Sequence, residues 1–240
     1  MKTALITGAS GAIGGAIAEK FLNNGYFTVG GYNAHADGIR ALENKYKDAF
    51  FGVKADLTDE NGVSDLYGFC EKNFGHVDAL VLNAGVGLYK LFTETETEEW
   101  DKVFAVNVRS AFMLAKLCLP EMIRRKKGKI VFVSSVWGKV GGSMETAYSA
   151  SKAALIGLTR SLAKEVSPSG VSVNCVCPGV INSPMNARFS AEEMSELALK
   201  TPAARIGEPI DVAELIYFLC SEKADFITGQ DISVDGGFGL

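Results

Sequence analysis

The sequence predicts a doubly wound, mostly parallel α/β sheet of seven strands with helices on both faces. Short apolar runs alternate with helical patterns almost from end to end, and no repeat, low-complexity tract or Pro/Ser-rich linker divides the 240 residues. Parallel neighbours need long connections, and helical crossovers cover both faces of the sheet. One domain spanning residues 1–240 follows.

Ala4 to Thr7 reads as the first strand, and residues 13–24 set Ile13, Ile17, Phe21 and Leu22 on one helical face before Gly25 ends the helix. Further strands are expected at Phe27 to Tyr32, Phe50 to Lys54, Ala79 to Asn83, Lys129 to Ser134, Ser172 to Cys177 and Gln230 to Val234. Helical stretches lie between them at 59–73, 97–118, 147–166, 191–199 and 210–220.

With 48% hydrophobic and 22% charged residues the chain can bury a large core, and a net charge of −4 leaves no basic field for nucleic acid or an anionic membrane. The opening MKTALITGAS reaches glycine too early for a signal peptide, and no run approaches the length of a membrane span. Cys70, Cys118, Cys175, Cys177 and Cys220 form no C-x-x-C pair, so reduced, buried thiols in the cytoplasm are expected. Cys175 and Cys177 lack a ligand cluster, with only His35 and His76 elsewhere, and no metal is expected.

Between the first strand and first helix stands TGASGAIG, residues 7–14, with Gly8, Gly11 and Gly14. Glycines there allow a tight turn and bring backbone N–H groups, among them those near Ser10 and Ile13, to a pyrophosphate at the positive end of the helix. The alternative is a turn that merely needs glycine. In such dinucleotide folds an acidic residue closing the second strand takes the ribose 2′-OH of NAD. Here that strand ends in Tyr32-Asn33-Ala34-His35 with no carboxylate before Asp37, which favours NADP over NAD, with His35 and Arg40 as candidates for the phosphate. After the third strand, Asp56-Leu57 either presents a carboxylate to adenine or caps the next helix. Asn83-Ala84-Gly85 closes the fourth strand, where ligands bind at strand carboxyl ends.

The second group of candidates lies downstream. Tyr148 and Lys152 are four apart in a helical pattern, hence one turn apart on one face. An ammonium about 4 Å from the phenol would favour phenolate by up to about 4 kcal/mol at an effective dielectric near 20, moving a pKa near 10 toward 7. Ser135 follows the fifth strand and offers a hydroxyl to a carbonyl oxygen, and Asn107 sits in the apolar run VFAVNV.

TGASGAIG, DLT at 56–58, NAG at 83–85, Asn107, Ser135, YSASK, PG at 178–179 and SVDGG at 233–237 together resemble the short-chain dehydrogenase/reductase family over essentially the whole chain. The resemblance implies a Rossmann-type fold and NADP-dependent reduction of a ketone to a secondary alcohol. It makes Tyr148 the general acid, Ser135 the group that orients the carbonyl, and Lys152 the ligand of the nicotinamide ribose that also lowers the Tyr148 pKa. Asn107 would hold a helix kink and a water in a proton relay. Pro178, Gly179 and Ile181 would border the nicotinamide, and a lid over about 183–205 would offer Met185, Met194 and Leu197.

Two positions depart from the pattern: Ala12 stands where the short branch has glycine, and Leu82 where asparagine often precedes NAG. The spacing of Gly11 is that of the extended branch, but the chain beyond Lys152 is too short for that branch's separate substrate domain. Among short-branch enzymes the sequence is similar to 3-oxoacyl-[acyl-carrier-protein] reductases and to reductases of 5-aminopentanone groups on elongation factor P. Both substrates ride on an acidic protein. The run Arg124-Arg125-Lys126-Lys127 either receives such a carrier or is a solvated helix end. A non-catalytic dinucleotide sensor or scaffold is the alternative of another class. The resemblance further implies a homotetramer, or a homodimer.

Overall fold

The computed structural model describes residues 2–187 and 189–240. Its strands are β1 (Lys2–Thr7), β2 (Tyr26–Tyr32), β3 (Phe50–Lys54), β4 (Ala79–Leu82), β5 (Gly128–Val133), β6 (Val171–Pro178) and β7 (Asp231–Val234). They form one parallel sheet in the order β3-β2-β1-β4-β5-β6-β7. The helices, in chain order, are α1 (Ala12–Asn23), α2 (Asp37–Tyr46), α3 (Glu60–Phe74), α4 (Thr97–Phe104), α5 (Ser110–Arg125), α6 (Trp137–Val140), α7 (Thr146–Val166), α8 (Ala191–Lys200) and α9 (Pro209–Cys220).

A strand covered on both faces must be apolar on both, and β1 is: Leu5 packs into one layer while Ala4 and Ile6 pack into the other. Leu66 of α3, Leu114 of α5 and Leu155 of α7 fill the first layer. The second layer holds Phe21 of α1, Ile39 of α2 and Ile216 of α9. Chain order reverses between β1 and β4, which opens a crevice at their carboxyl ends, the usual ligand position in open α/β sheets.

The structure adds α2, which the sequence pattern left out: DGIRALENKY buries only Ile39 and Leu42, and its first turn has no side-chain cap. It also lengthens the helical stretch at 97–118 to Thr97–Arg125, interrupted by a π-helical segment at Ala105–Arg109. By length and composition this continuous helix could cross a membrane, contrary to expectation. Here Leu114, Cys118 and Met122 lie in the core layer beside the sheet.

The run of four cations sits at the end of α5, just before β5 begins. That places it at the amino edge of the sheet, the opposite end of β5 from Ser135 in the same chain. Three of the four are paired internally: Arg124 with Glu121, Arg125 with buried Asp78, and Lys127 with Glu222. Lys126 caps the helix in the left-handed region at φ 51°. All five cysteines are free and buried.

Candidate active site

The glycine turn is built on two of its three glycines. Gly8 has φ +67°, and a Cβ there would meet the Ala84 Cα at 3.0 Å. A Cβ on Gly14 would stand 2.1 Å from the Gly8 carbonyl oxygen, so this contact excludes any side chain. Gly11 is different, with φ −81° and room for a Cβ at 3.5 Å from its nearest neighbour. Ala12 opens α1, so its methyl sits at a first helical position, where a side chain is ordinary. The Gly15 N–H donates to Gly11 O at 2.8 Å, and the N–H groups of Ala12, Ile13 and Gly14 before it have no intrahelical acceptor. No acidic residue occupies that first turn, so the helix end is a positive cradle.

Thr7 ties this cradle to β4. Its hydroxyl oxygen accepts from the N–H of Asn83 at 3.0 Å and of Ala84 at 2.9 Å. The Asn83 amide donates in return to the carbonyl oxygens of Thr7 at 3.0 Å and Gly8 at 3.3 Å. Asn83 is therefore a brace of the turn, and buried Leu82 before it belongs to the core.

A cleft of about 1150 Å³ opens from this point, lined by Gly8, Ser10, Tyr32, Asn33, Asp56, Leu57, Ala84 and Gly85 among the residues singled out from sequence. His35 lines it as well, whereas Arg40 is exposed and is not among the lining residues. Asp56 does not cap α3; Asp59 does, accepting from the Asn61 N–H at 3.1 Å. The Asp56 carboxylate accepts instead from the Thr58 N–H at 2.9 Å and hydroxyl at 2.8 Å, which holds its pKa below the ordinary range.

Ser135, Tyr148, Lys152 and Asn107 lie outside that lining, which Lys152 and Asn107 adjoin through Gly85 and Val86. A Cβ on Gly85 would come within 3.2 Å of Lys152 Nζ and 3.4 Å of Asn107 Oδ1, so the loop after β4 touches both. The π segment widens the helix at Asn107, whose Oδ1 accepts from the Val86 N–H at 2.8 Å while its Nδ2 donates to Val86 O at 3.0 Å and to Ser151 Oγ at 2.9 Å. The Ser151 hydroxyl donates onward to Tyr148 O at 2.7 Å, which links the segment to α7.

Lys152 is buried, and its ammonium donates to Val133 O at 2.8 Å. It stands over the Tyr148 ring, 5.5 Å from the ring centroid. Ser134 Oγ donates to Lys152 O at 2.8 Å, and buried Ser135 receives the Trp137 N–H on its Oγ at 3.2 Å. Burial lowers the Lys152 pKa from its ordinary 10.5 to about 8.

That shift gives a stability prediction with a definite sign. Because the folded-state pKa is the lower one, the unfolded chain binds more protons between pH 8 and 10.5, and the cost of burying the charge is fully present below pH 8. Lys152→Met is therefore expected to unfold at higher urea than wild type at pH 7, by up to about 3 kcal/mol. The gap should narrow as pH rises through 8 toward 10.5, and a constant gap would contradict the assignment.

Pro178 and Gly179 leave β6 beside these groups: the Val136 N–H donates to Pro178 O at 2.8 Å and the Gly179 N–H to Val234 O at 3.0 Å. Ile181 is buried and bridges to Gly207. In the following segment Met185 is exposed, Met194 and Leu197 are half-buried, and α8 has no buried residue, so they are not core.

Known proteins resemble this chain along nearly its whole length. The family model described as Enoyl-(Acyl carrier protein) reductase matches residues 8–239. A 3-oxoacyl-[acyl-carrier-protein] reductase of Buchnera aphidicola is 37% identical over 236 residues, 98% of this chain and 96% of the relative. The chain belongs to the short-chain dehydrogenase/reductase family. Within this family, an uncharacterized oxidoreductase of Bacillus subtilis is 40% identical, covering 99% of this chain and 98% of that protein. A solved structure provisionally named a gluconate dehydrogenase, from Agrobacterium tumefaciens, superposes with TM-score 0.93 at 30% identity, covering 99% of this chain and 96% of that one. As a short-chain dehydrogenase/reductase the chain is an oxidoreductase acting on CH–OH or C=O groups, in a family that works with nicotinamide dinucleotides.

The candidate site of this short-chain dehydrogenase/reductase also includes residues not singled out from the sequence. Thr7 braces the turn, and Lys102, Arg109 and Phe112 line the cleft. Thr7 carried a signal, a hydroxyl residue closing β1 just before the glycine turn. The other three carried none, because only the packing of α4 and α5 brings them to the loops after β2 and β3.

Proposed function

We propose that the chain is an NADPH-dependent reductase of a 3-oxoacyl group carried on an acyl carrier protein, converting its ketone to a secondary alcohol. The observation that carries this reading is the meeting of Gly85, Asn107, Lys152 and Tyr148 at the inner end of the cleft. The cradle fits a dinucleotide: two turn positions exclude a Cβ, the helix end is free of acid, and no carboxylate closes β2. When bound, the cofactor supplies hydride chemistry.

The chain's own groups do the rest. The Tyr148 hydroxyl gives its proton to the carbonyl oxygen, and the Ser135 hydroxyl donates to that same oxygen and fixes its direction. Lys152 binds the nicotinamide ribose hydroxyls and, as a cation over the Tyr148 ring, favours its ionised form. Asn107 keeps the π segment open and positions the water that returns a proton toward Lys152. Pro178, Gly179 and Ile181 wall the nicotinamide end, and the segment 183–205 closes over it.

Exposed Phe226 and Leu240, before and after β7 in the chain, support assembly into a homotetramer. With the internal pairing of Arg124, Arg125 and Lys127, the far-end run favours a solvated helix end within one chain.

The test is NADPH and NADH consumption on a carrier-linked 3-oxoacyl thioester, the same acyl group on a small thiol, a 5-aminopentanone-modified elongation factor P, and small free ketones. The expected result is kcat/KM at least about tenfold higher with NADPH than with NADH, and highest for the carrier-linked acyl group. A preference for NADH overturns the cofactor assignment, and turnover of the modified elongation factor alone overturns the substrate.

A further inference from the structure

We propose that Arg109 is a cofactor-positioning residue, a clasp that holds the adenosine end of the dinucleotide; this rests on the reading of the cleft as a dinucleotide site. Arg109 is the last residue of the π segment, and its Nη2 donates to Thr58 O at 2.6 Å. The contact joins the helical layer to the loop after β3, and both residues line the cleft. Phe112, one turn further along α5, lines the cleft too and is 49% exposed. Leu57, from the same loop as Thr58, is buried there. The outer end of the cleft thus has an apolar side chain, an aromatic ring and a flat guanidinium fixed at one corner.

That combination suits a planar base. A guanidinium has five N–H donors and a weakly hydrated face that stacks on aromatic rings, so one bond to a carbonyl leaves the face available. It is less suited to a phosphate, because Asp56 and Asp101 balance Lys102 and Arg109 along the same cleft and leave this wall no net positive charge. In this fold the ribose hydroxyls face the end of the second strand, here Tyr32 and Asn33, whereas Arg109 is held at Thr58 after the third. The clasp therefore acts on adenine and is indifferent to the 2′-phosphate. Its spacing in the chain adds a constraint: Arg109 is two residues beyond Asn107, so the residue at the adenosine end and the residue at the catalytic end belong to one π segment.

The experiment compares Arg109→Ala with wild type by titration calorimetry against ADP-ribose, NADH, NADPH and reduced nicotinamide mononucleotide, alongside steady-state kinetics. The dissociation constants of the three adenosine ligands should rise alike, by about tenfold, the change expected for loss of one stacked cation–π contact. The mononucleotide should be unaffected, and kcat at saturating NADPH should stay within about twofold while KM for NADPH rises. Arg109→Lys keeps the charge without the planar face and should bind as weakly as the alanine variant; recovery by lysine overturns the stacking clasp. So does an unchanged affinity in Arg109→Ala, a loss confined to NADPH, or equal weakening of the mononucleotide. A wild-type protein that binds none of the adenosine ligands overturns the dinucleotide reading itself.

Discussion

Replacing Tyr148 by phenylalanine is expected to abolish ketone reduction, by about 10³-fold or more in kcat, while NADPH affinity stays within about twofold of wild type. The substitution removes one oxygen from a buried ring and leaves the ring itself, over which the Lys152 ammonium stands at 5.5 Å. The Val133 carbonyl keeps the other hold on that ammonium, and the link from Asn107 through Ser151 ends on the backbone of residue 148, so neither depends on the phenol. Single-turnover consumption of bound NADPH measures the chemical step, and fluorescence titration measures binding. Turnover retained by the phenylalanine protein would overturn Tyr148 as the acid. A wild-type protein that binds NADPH and reduces no ketone would instead select the sensor or scaffold alternative.

The second large effect separates two glycines that look equivalent in the sequence. Gly14→Ala forces a methyl to within 2.1 Å of the Gly8 carbonyl oxygen and 2.8 Å of Asn83 Nδ2, and the first of these is backbone that cannot rotate away. The turn and the β4 brace must both shift. The expected cost is about 2–3 kcal/mol of stability, with NADPH affinity lowered about 100-fold or more as the N–H cradle is displaced. Gly11→Ala meets nothing closer than 3.5 Å at an unstrained φ of −81°, so its cost should stay within about 1 kcal/mol, the difference between glycine and alanine at an N-cap. Urea unfolding and NADPH titration of the two variants decide the matter. Equal effects would mean that the spacing, rather than the contact at Gly14, governs the turn.

The layered parallel sheet could be read from sequence because strands buried on both faces are apolar throughout, and α1, α3, α7 and α9 bury regular stripes against them. α2 is harder to read: Ile39, Leu42 and Tyr46 share one face, but the stripe is short and the segment around it is polar. Asp56 and Asp59 illustrate a local limit. Either aspartate suits the start of a helix, and only the backbone conformation shows that Asp59 is the cap and Asp56 a turn residue. The Tyr148–Lys152 spacing placed the two side chains on one face, yet the ammonium's position depends on Val133, which the sheet brings in from β5. Arg109 is a further case: its contact with Thr58 spans 51 positions. No periodicity or motif encodes such a pairing, which arises only when two layers of the fold close on each other.

The π segment has a consequence for how this chain tolerates changes of length. It takes up one residue more than a regular helical turn would, so deleting any single residue between Ala105 and Arg109 would let the helix run on as ordinary α-helix. The two flanking helices would keep their phase, because the wider turn already absorbs the extra residue's rotation of about 100°. Val103, Leu114, Cys118 and Met122 would stay buried, and the loss would fall on Asn107, whose hydrogen bonds to Val86 and Ser151 are made from the segment. The extra residue thus serves the site and not the core: without it the rest of the 29-residue helix could pack as before, and only the arrangement at Asn107 would go.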